Sequence, residues 1–142
     1  GAKGSKDSGK KVNPNSLPLA PVEFKTNFKY NATDVAVSKD FNNFVKSVAS
    51  KINDGQSVTI NIEASASQVP TTKFGTNENL AKSRGESAKT KIINALKAKG
   101  VDTSKITWGK MDALVQGPEY NKDFNERRAE YEKFQYVDVT IQ

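Results

Sequence analysis

The segment that decides the fold runs from residue 56 to residue 100: QSVTINIEASASQVPTTKFGTNENLAKSRGESAKTKIINALKAKG. In residues 56–66 apolar side chains occupy every second position, which predicts a half-buried β-strand. From about Asn77 to Lys99, small and aliphatic residues recur at helical spacing, and Gly100 follows as a helix stop. A strand, a loop and a long helix are therefore expected here, with small residues that let the helix approach the sheet closely.

The remaining elements follow from the same two periodicities. In chain order they are a strand at 22–28, a helix from Ser38 to Gly55, a strand at 106–115 broken by Gly109, a short charged helix at 121–133, and a strand at 136–141. This order predicts an α+β fold, β-α-β-α-β-(short α)-β, with two main helices packed on one face of a four-stranded mixed sheet. The two strand–helix–strand units favour parallel pairing with right-handed crossovers.

The composition excludes several classes of active site. The 142 residues include no cysteine and no histidine, so disulfides, thiolate chemistry, the usual zinc sites and His-based triads are ruled out. The chain also lacks a Ser-x-x-Lys or Gly-x-Ser-x-Gly context and a Gly-rich phosphate loop. The acids Glu126, Glu130 and Glu132 lie among basic residues, as on a solvated helix face. We therefore expect no catalysis, no metal and no cofactor.

Part of the net charge of +6 lies at the N-terminus. Residues 1–11, GAKGSKDSGKK, carry four lysines and one aspartate, and residues 12–21 hold three prolines. We interpret residues 1–21 as a flexible Lys/Gly/Ser/Pro-rich linker and residues 22–142 as one domain. Contact of the lysines with nucleic acid or anionic lipid is the alternative, but the rest of the chain lacks the basic stripe with interleaved aromatics of nucleic-acid binders. No apolar run is long enough to predict a membrane span, and none resembles a signal-peptide core.

The start of the second helix carries a recognisable motif. Residues 77–88, NENLAKSRGESA, are followed by an aliphatic stripe and Gly100-Val101. This pattern resembles the motif of the OmpA-like C-terminal domain family, which is Asn, two residues, Leu-Ser, two residues and Arg-Ala. The resemblance extends over about residues 22–142 through the element order and the hydrophobic final strand. It implies a non-catalytic domain of the Gram-negative cell envelope, in the periplasm and associated with the outer membrane, that binds peptidoglycan non-covalently.

The resemblance also assigns roles to individual residues. The implied ligand is the diaminopimelate side group of the stem peptide, whose free end carries an ammonium and a carboxylate. The family's arginine takes the carboxylate in a two-pronged contact, and Arg84 matches that arginine. Asn77 matches the motif's asparagine. From the residues alone, Arg84 could instead pair with a surface acid, Asn77 could cap the helix, and Trp108 could pack in the core.

The chain departs from the family pattern at three places. Ala64, Ser65, Ala66 and Ser67 stand where Gly, His, Thr and Asp are expected, so Ser67 replaces the carboxylate that holds the ammonium. Residues 69–76, VPTTKFGT, have no clear match, and Gln135 and Tyr136 stand where paired arginines usually precede the final strand. Losing a hydrogen bond to a charged group costs about 1.5–3 kcal/mol, which predicts binding roughly ten- to a hundred-fold weaker.

Two acids are candidates to replace the missing aspartate. Glu63 lies four residues before Ser67, on the side of the strand that also carries Asn61, and Glu78 lies next to the loop. The sequence does not choose between them. The predicted ligand-binding set is listed in full as Arg84, Asn77, Ser67, Glu63 and Glu78. The alternative function is an OmpA-like scaffold in an envelope protein assembly that has lost peptidoglycan binding.

Overall fold

The computed structural model describes residues 21–142. Its elements are β1 (Glu23–Asn27), α1 (Lys39–Asn53), β2 (Val58–Ala66), α2 (Asn77–Ala98), a 3₁₀ turn at Thr103–Lys105, β3 (Ile106–Val115), α3 (Arg128–Glu132) and β4 (Tyr136–Ile141). The predicted α+β class and element order are confirmed. The predicted linker lies outside the described residues except for its last residue, Pro21. Within residues 21–142 no helix has the length and apolarity that crossing a membrane requires.

The four strands form one mixed sheet in the order β1-β4-β2-β3. Strands β2 and β3 pair in parallel, as a strand–helix–strand unit predicts. The last strand, β4, lies antiparallel between β1 and β2, pairing Phe24 with Val139 on one side and Ala64 with Val137 on the other. The first strand–helix–strand unit therefore keeps its parallel direction but does not pair directly, because β4 separates its two strands.

Helix α1 covers one half of the sheet. Ser38 caps it, as predicted, by accepting a hydrogen bond from the Phe41 N–H at 3.1 Å. Its apolar stripe is buried against the sheet and contains Phe41, Phe44, Val45, Val48 and Ile52. Gly55 then adopts a φ of 86°, a left-handed conformation that lets the chain turn into β2.

Helix α2 packs on the same face, against β2 and β3. Its cap is Thr76, whose hydroxyl accepts a hydrogen bond from the Asn79 N–H at 3.1 Å, so the interpretation of Asn77 as the cap is wrong by one position. Gly85 allows the close approach, since a Cβ there would lie 2.6 Å from the Met111 sulfur and 3.4 Å from the Ala64 Cβ. The small residues of the motif thus seat α2 deeply on the sheet.

Two details of the last third differ from the sequence prediction. The charged helix is confined to Arg128–Glu132, because Lys122 has a φ of 59° and interrupts the helical path predicted from residue 121. Strand β3 is not broken at Gly109 but bulges there, where the pairing with β2 shifts register. The Asn61 side-chain oxygen accepts the Lys110 N–H at 2.8 Å and holds the bulge.

Candidate functional site

Arg84 lies inside the domain rather than in an open groove. Its side chain is completely buried. The guanidinium donates to three main-chain carbonyl oxygens: Nε to Ala32 at 2.9 Å, one terminal nitrogen to Ser65 at 3.0 Å, and the other to Lys29 at 3.3 Å. The Phe28 ring lies beneath it, with the guanidinium carbon 5.0 Å from the ring centroid. Arg84 therefore ties the β1–α1 loop to the end of β2.

No carboxylate neutralises this cation within the described part of the chain. None of the ion pairs among residues 21–142 includes Arg84, so the interpretation that it pairs with a surface acid is wrong. Burial lowers the pKa of Arg84 to about 10, which leaves it positively charged at neutral pH. Carbonyl dipoles are thus the partners of a buried charge, and in this conformation the guanidinium is shielded from the carboxylate that the resemblance implies.

Ser67 is buried and bonded to another residue that departs from the family pattern. Its hydroxyl donates to the Gln135 side-chain oxygen at 2.8 Å, and the Gln135 amide donates to the Phe28 carbonyl at 2.9 Å. Both side chains are almost completely shielded from solvent. The resemblance implies an Asp and an Arg at these two positions. Here both side chains are neutral, and they bond to each other and to the main chain.

The loop between β2 and α2, which has no match in the family pattern, contacts the tight turn of residues 29–32. The Thr71 hydroxyl donates to the Asn31 side-chain oxygen at 2.7 Å, and the Asn31 amide donates to the Thr72 hydroxyl at 2.8 Å. The Tyr30 hydroxyl donates to the Pro70 carbonyl. Asn31 adopts a φ of 59°, in the left-handed region that asparagine tolerates better than most residues. This loop therefore holds the turn whose carbonyls bind Arg84.

The other predicted ligand residues lie apart from one another. Asn77 is partly buried in the first turn of α2, where its side-chain oxygen has no hydrogen-bond partner. Glu78 is exposed in the same turn. Glu63 lies on the open face of the sheet with Asn61, and it accepts a hydrogen bond from the Tyr136 hydroxyl at 2.6 Å. The structure brings together Arg84 and the end of β2, but it does not bring an acid to them.

The open face of the sheet carries a row of carboxylates. In the strand register Glu63 lies beside Asp138 of β4 and beside Asp112 of β3, and the three line a cavity of about 170 Å³. Burial and the nearby Glu23 carboxyl raise the pKa of Asp138 to about 6. Among residues 21–142 no group of His, Cys, Asp and Glu side chains has the arrangement of a metal site. This row thus concentrates negative charge, which Lys110 at the same cavity and Lys25 near Asp138 offset in part.

A second cavity of about 570 Å³ follows the outer face of α2, and neither it nor the open-face cavity is lined by Arg84. It is bounded mainly by serine, threonine, asparagine and charged side chains of α2, together with Asp34. Trp108 is half-buried and packs against the core, with the Lys89 ammonium 5.3 Å from the centroid of its ring system. This agrees with the interpretation of Trp108 as a packing residue.

Sequence reasoning missed the residues that enclose Arg84. Gln135 was noted only as a departure, and Tyr30, Asn31 and Thr71 were not singled out. A signal for part of this was available, because Ser67, the loop 69–76 and Gln135 are the three departures from one pattern. Changes at three places in one pattern favour the interpretation that the three places contact each other in space. In the structure, all three lie next to the residues that contact Arg84.

No protein-family model matches the chain, and no curated protein matches it. Solved structures do match. The peptidoglycan-associated lipoprotein from Burkholderia pseudomallei is 19% identical, with a TM-score of 0.47, over 92% of this chain and 98% of that one. The OmpA-like domain of FopA1 from Francisella tularensis is 20% identical, with a TM-score of 0.46, over 84% and 73%. The periplasmic domain of Helicobacter pylori MotB is 20% identical, with a TM-score of 0.47, over 84% and 72%.

One of these structures is named as an OmpA-like domain. With identities of 13–20% and TM-scores below 0.5, the matches carry no argument about what this chain binds. Any such argument has to come from the chain's own geometry.

Proposed function

We propose that this chain is a non-catalytic cell-envelope domain of OmpA-like architecture that serves as a scaffold in an envelope protein assembly. In this closed-grip proposal, Arg84 and Ser67, which would hold the two charged groups of diaminopimelate, bond within the domain instead. Its location would be the periplasm, associated with the outer membrane of a Gram-negative bacterium. Support for the architecture comes from the motif at residues 77–88 together with the element order. Support for the closed grip comes from the surroundings of Arg84.

The complete burial of Arg84 is the observation that carries this proposal. A two-pronged contact with a carboxylate needs two guanidinium N–H groups directed into a cavity. Here all three nitrogens already donate to carbonyls, and bonds to a charged group contribute about 1.5–3 kcal/mol each. The other two of the five guanidinium N–H groups are shielded from solvent with the rest of the side chain, so a ligand carboxylate reaches the guanidinium only if the structure around Arg84 opens.

The pairing of Ser67 with Gln135 supports the same conclusion from the other half of the expected site. The ligand's ammonium would need an acceptor, and the only charged acceptor of the family pattern is absent. The hydroxyl that replaces it is buried and donates to Gln135. Both halves of a zwitterion grip are therefore engaged in bonds within the domain.

Weak binding of the peptidoglycan stem peptide by Arg84, Asn77 and Ser67 is a second candidate, with Glu63 or Glu78 in place of the lost aspartate. Two observations favour it. The charge of Arg84 lacks a carboxylate partner within residues 21–142, and the Asn77 side-chain oxygen is buried without a donor.

Co-sedimentation with purified sacculi separates the two candidates. We expect the full chain to remain in the supernatant to the same extent as Arg84→Lys, because the wild-type guanidinium does not reach the ligand. The Lys variant should lose stability, since one ammonium cannot bond all three carbonyls in their present positions. Melting temperature and retention are therefore measured on the same samples.

Retention of the wild type that disappears in Arg84→Lys, or on addition of free meso-diaminopimelate, would overturn the closed-grip proposal in favour of the second candidate. Lys82→Met, at an exposed position of the same helix, is the matched control for nonspecific charge effects. It should leave both stability and retention unchanged under either candidate function.

A further inference from the structure

The carbonyls that enclose Arg84 are concentrated on one small segment. Lys29 O and Ala32 O lie at the two ends of a single tight turn, which is closed by the Ala32 N–H bonding to Lys29 O at 3.0 Å. Arg84 donates to both of these oxygens. Movement of one four-residue turn would therefore free two of the three guanidinium nitrogens at once, while the bond to Ser65 of β2 would remain.

Among residues 21–142, the side-chain hydrogen bonds of Tyr30 and Asn31, at the middle of this turn, all go to one other segment. Asn31 exchanges two hydrogen bonds with Thr71 and Thr72, and the Tyr30 hydroxyl donates to the Pro70 carbonyl. Thr72 is exposed and Thr71 is half-buried. Because water competes for bonds at such positions, each contributes little net stability. The hydrogen bonds that seat the turn are thus a few surface bonds, and the Tyr30 ring adds a contact with Phe124, with 5.3 Å between the ring centroids. The turn nevertheless covers a fully buried cation.

From this arrangement we propose that Pro70, Thr71 and Thr72 form an autoinhibitory latch. The latch keeps the 29–32 turn seated, and the turn's carbonyls occupy the guanidinium N–H groups that a carboxylate ligand would take. This inference rests on the closed-grip proposal above and adds the element that closes it. Release of the latch exposes Arg84, a cation with no carboxylate partner among residues 21–142, as a site for a carboxylate.

The chemistry of the occupant follows from the donors that release would provide. Two guanidinium nitrogens side by side match the two oxygens of a carboxylate or another planar oxyanion. The Phe28 ring below the guanidinium blocks one of its faces, so the ligand would enter in the guanidinium plane, where the turn now lies. A carboxylate is thus a better substitute for two carbonyl oxygens than any neutral group.

The test compares the full chain with a released variant, Thr71→Val/Thr72→Val, in which both hydroxyls are replaced by groups of equal size that cannot form the bonds. Titration with meso-diaminopimelate is followed by NMR of the 15N-labelled protein. We expect at least tenfold tighter binding than wild type, and loss of that gain when Arg84→Lys is added. Hydrogen exchange at the Arg84 Nε–H should also accelerate in the released variant.

Two further variants keep the test decisive. Thr71 also accepts hydrogen bonds from the Lys73 and Phe74 N–H groups. If the double variant does not fold, the single variant Thr72→Val preserves the loop and removes one of the two hydrogen bonds to Asn31, so a smaller gain in binding is expected. Thr107→Val, at an exposed position on β3, is the control for the chemical change and should bind as the wild type does.

Failure of the latch and failure of the closed grip give different results. A folded released variant that binds no more tightly than wild type, with unchanged exchange at Arg84, overturns the latch and leaves the closed-grip proposal intact. Wild-type protein that already binds as tightly as the released variant overturns both proposals. Gain of binding that survives Arg84→Lys overturns the latch as well, because the new site would then not be the guanidinium.

Discussion

The domain holds charge in two regions that are built in opposite ways. Around Arg84 one cation is fully buried, and its nitrogens all donate to main-chain carbonyls. On the open face of the sheet several carboxylates lie side by side, and one oxygen of Asp138 is buried without a partner. The difference teaches that the cost of burying a charged group depends on its hydrogen bonds. A buried charge lowers the folding stability most when hydrogen bonds do not replace the hydration that it loses.

The largest loss of stability is expected from Arg84→Met. This change removes the hydrogen-bond donor of the Lys29, Ala32 and Ser65 carbonyls. Unsatisfied buried polar groups cost about 1–3 kcal/mol each, so we expect the free energy of unfolding to fall by roughly 3 kcal/mol or more. Urea denaturation followed by circular dichroism measures it. A decrease below about 1 kcal/mol would show that the carbonyls find water or other donors easily.

An intermediate effect is expected from restoring the charges of the family pattern. Ser67→Asp alone places a carboxylate against the Gln135 side-chain oxygen in a buried position, and we expect it to destabilise the domain by about 2 kcal/mol. Gln135→Arg alone should also destabilise. The double variant should recover at least 1 kcal/mol of the summed loss, because the two new groups can pair.

A double-mutant cycle by urea denaturation measures this coupling energy. The matched cycle uses Ser104→Asp with Gln135→Arg, since Ser104 is exposed in the 3₁₀ turn at Thr103–Lys105 and bonds locally to Asp102. That cycle should show no coupling. Equal coupling in both cycles would mean that long-range charge, rather than the Ser67–Gln135 contact, is responsible.

The smallest effect on stability is expected at the open sheet face. It is measured through the pH dependence of stability. The pKa of Asp138 is raised to about 6 in the folded protein, so the folded state binds this proton more tightly than the unfolded chain. The contribution of Asp138 to stability should therefore rise as the pH falls from 7 towards 4. Asp138→Asn should remove this rise and stabilise the protein at pH 7 by on the order of 1 kcal/mol, after allowance for solvent screening.

Asp102 provides the control of opposite sign. Hydrogen bonds from Ser104 lower the pKa of Asp102, so its contribution to stability is lost as the pH falls through that lowered value. Urea midpoints of wild type, Asp138→Asn and Asp102→Asn between about pH 2 and pH 8 are the measurement, because the Asp102 contribution is lost only below its ordinary pKa of 3.8. An Asp138 variant with the same pH dependence as wild type would contradict the raised pKa.

Much of the fold could be predicted because the elements carry local signals. Helix α1 has its cap at Ser38 and its stop at Gly55, and strands β3 and β4 begin and end at the predicted residues. The placement of β4 between β1 and β2 could not be predicted in the same way. Alternation of apolar residues predicts a strand, but it does not indicate with which other strands that strand pairs.

The candidate site was predictable only in part. The motif at residues 77–88 singled out Arg84, and the structure shows that this side chain is buried. The carboxylate contact that the resemblance implies needs an open guanidinium, and the guanidinium is buried in this conformation. The side chain reaches Lys29 and Ala32, which are more than fifty residues away in sequence, and nothing in those residue types indicates a partner for an arginine.

By itself the sequence determined the strands and helices, the α+β class, the motif arginine and the absence of cysteine and histidine chemistry. Only the tertiary structure decided that Arg84 bonds to main-chain carbonyls, that Ser67 meets Gln135, and that the 69–74 loop holds the 29–32 turn. The physical reason is that every residue has a carbonyl group. A site made of carbonyls is therefore specified by where the backbone runs, whereas a site made of side chains leaves its residue types in the sequence.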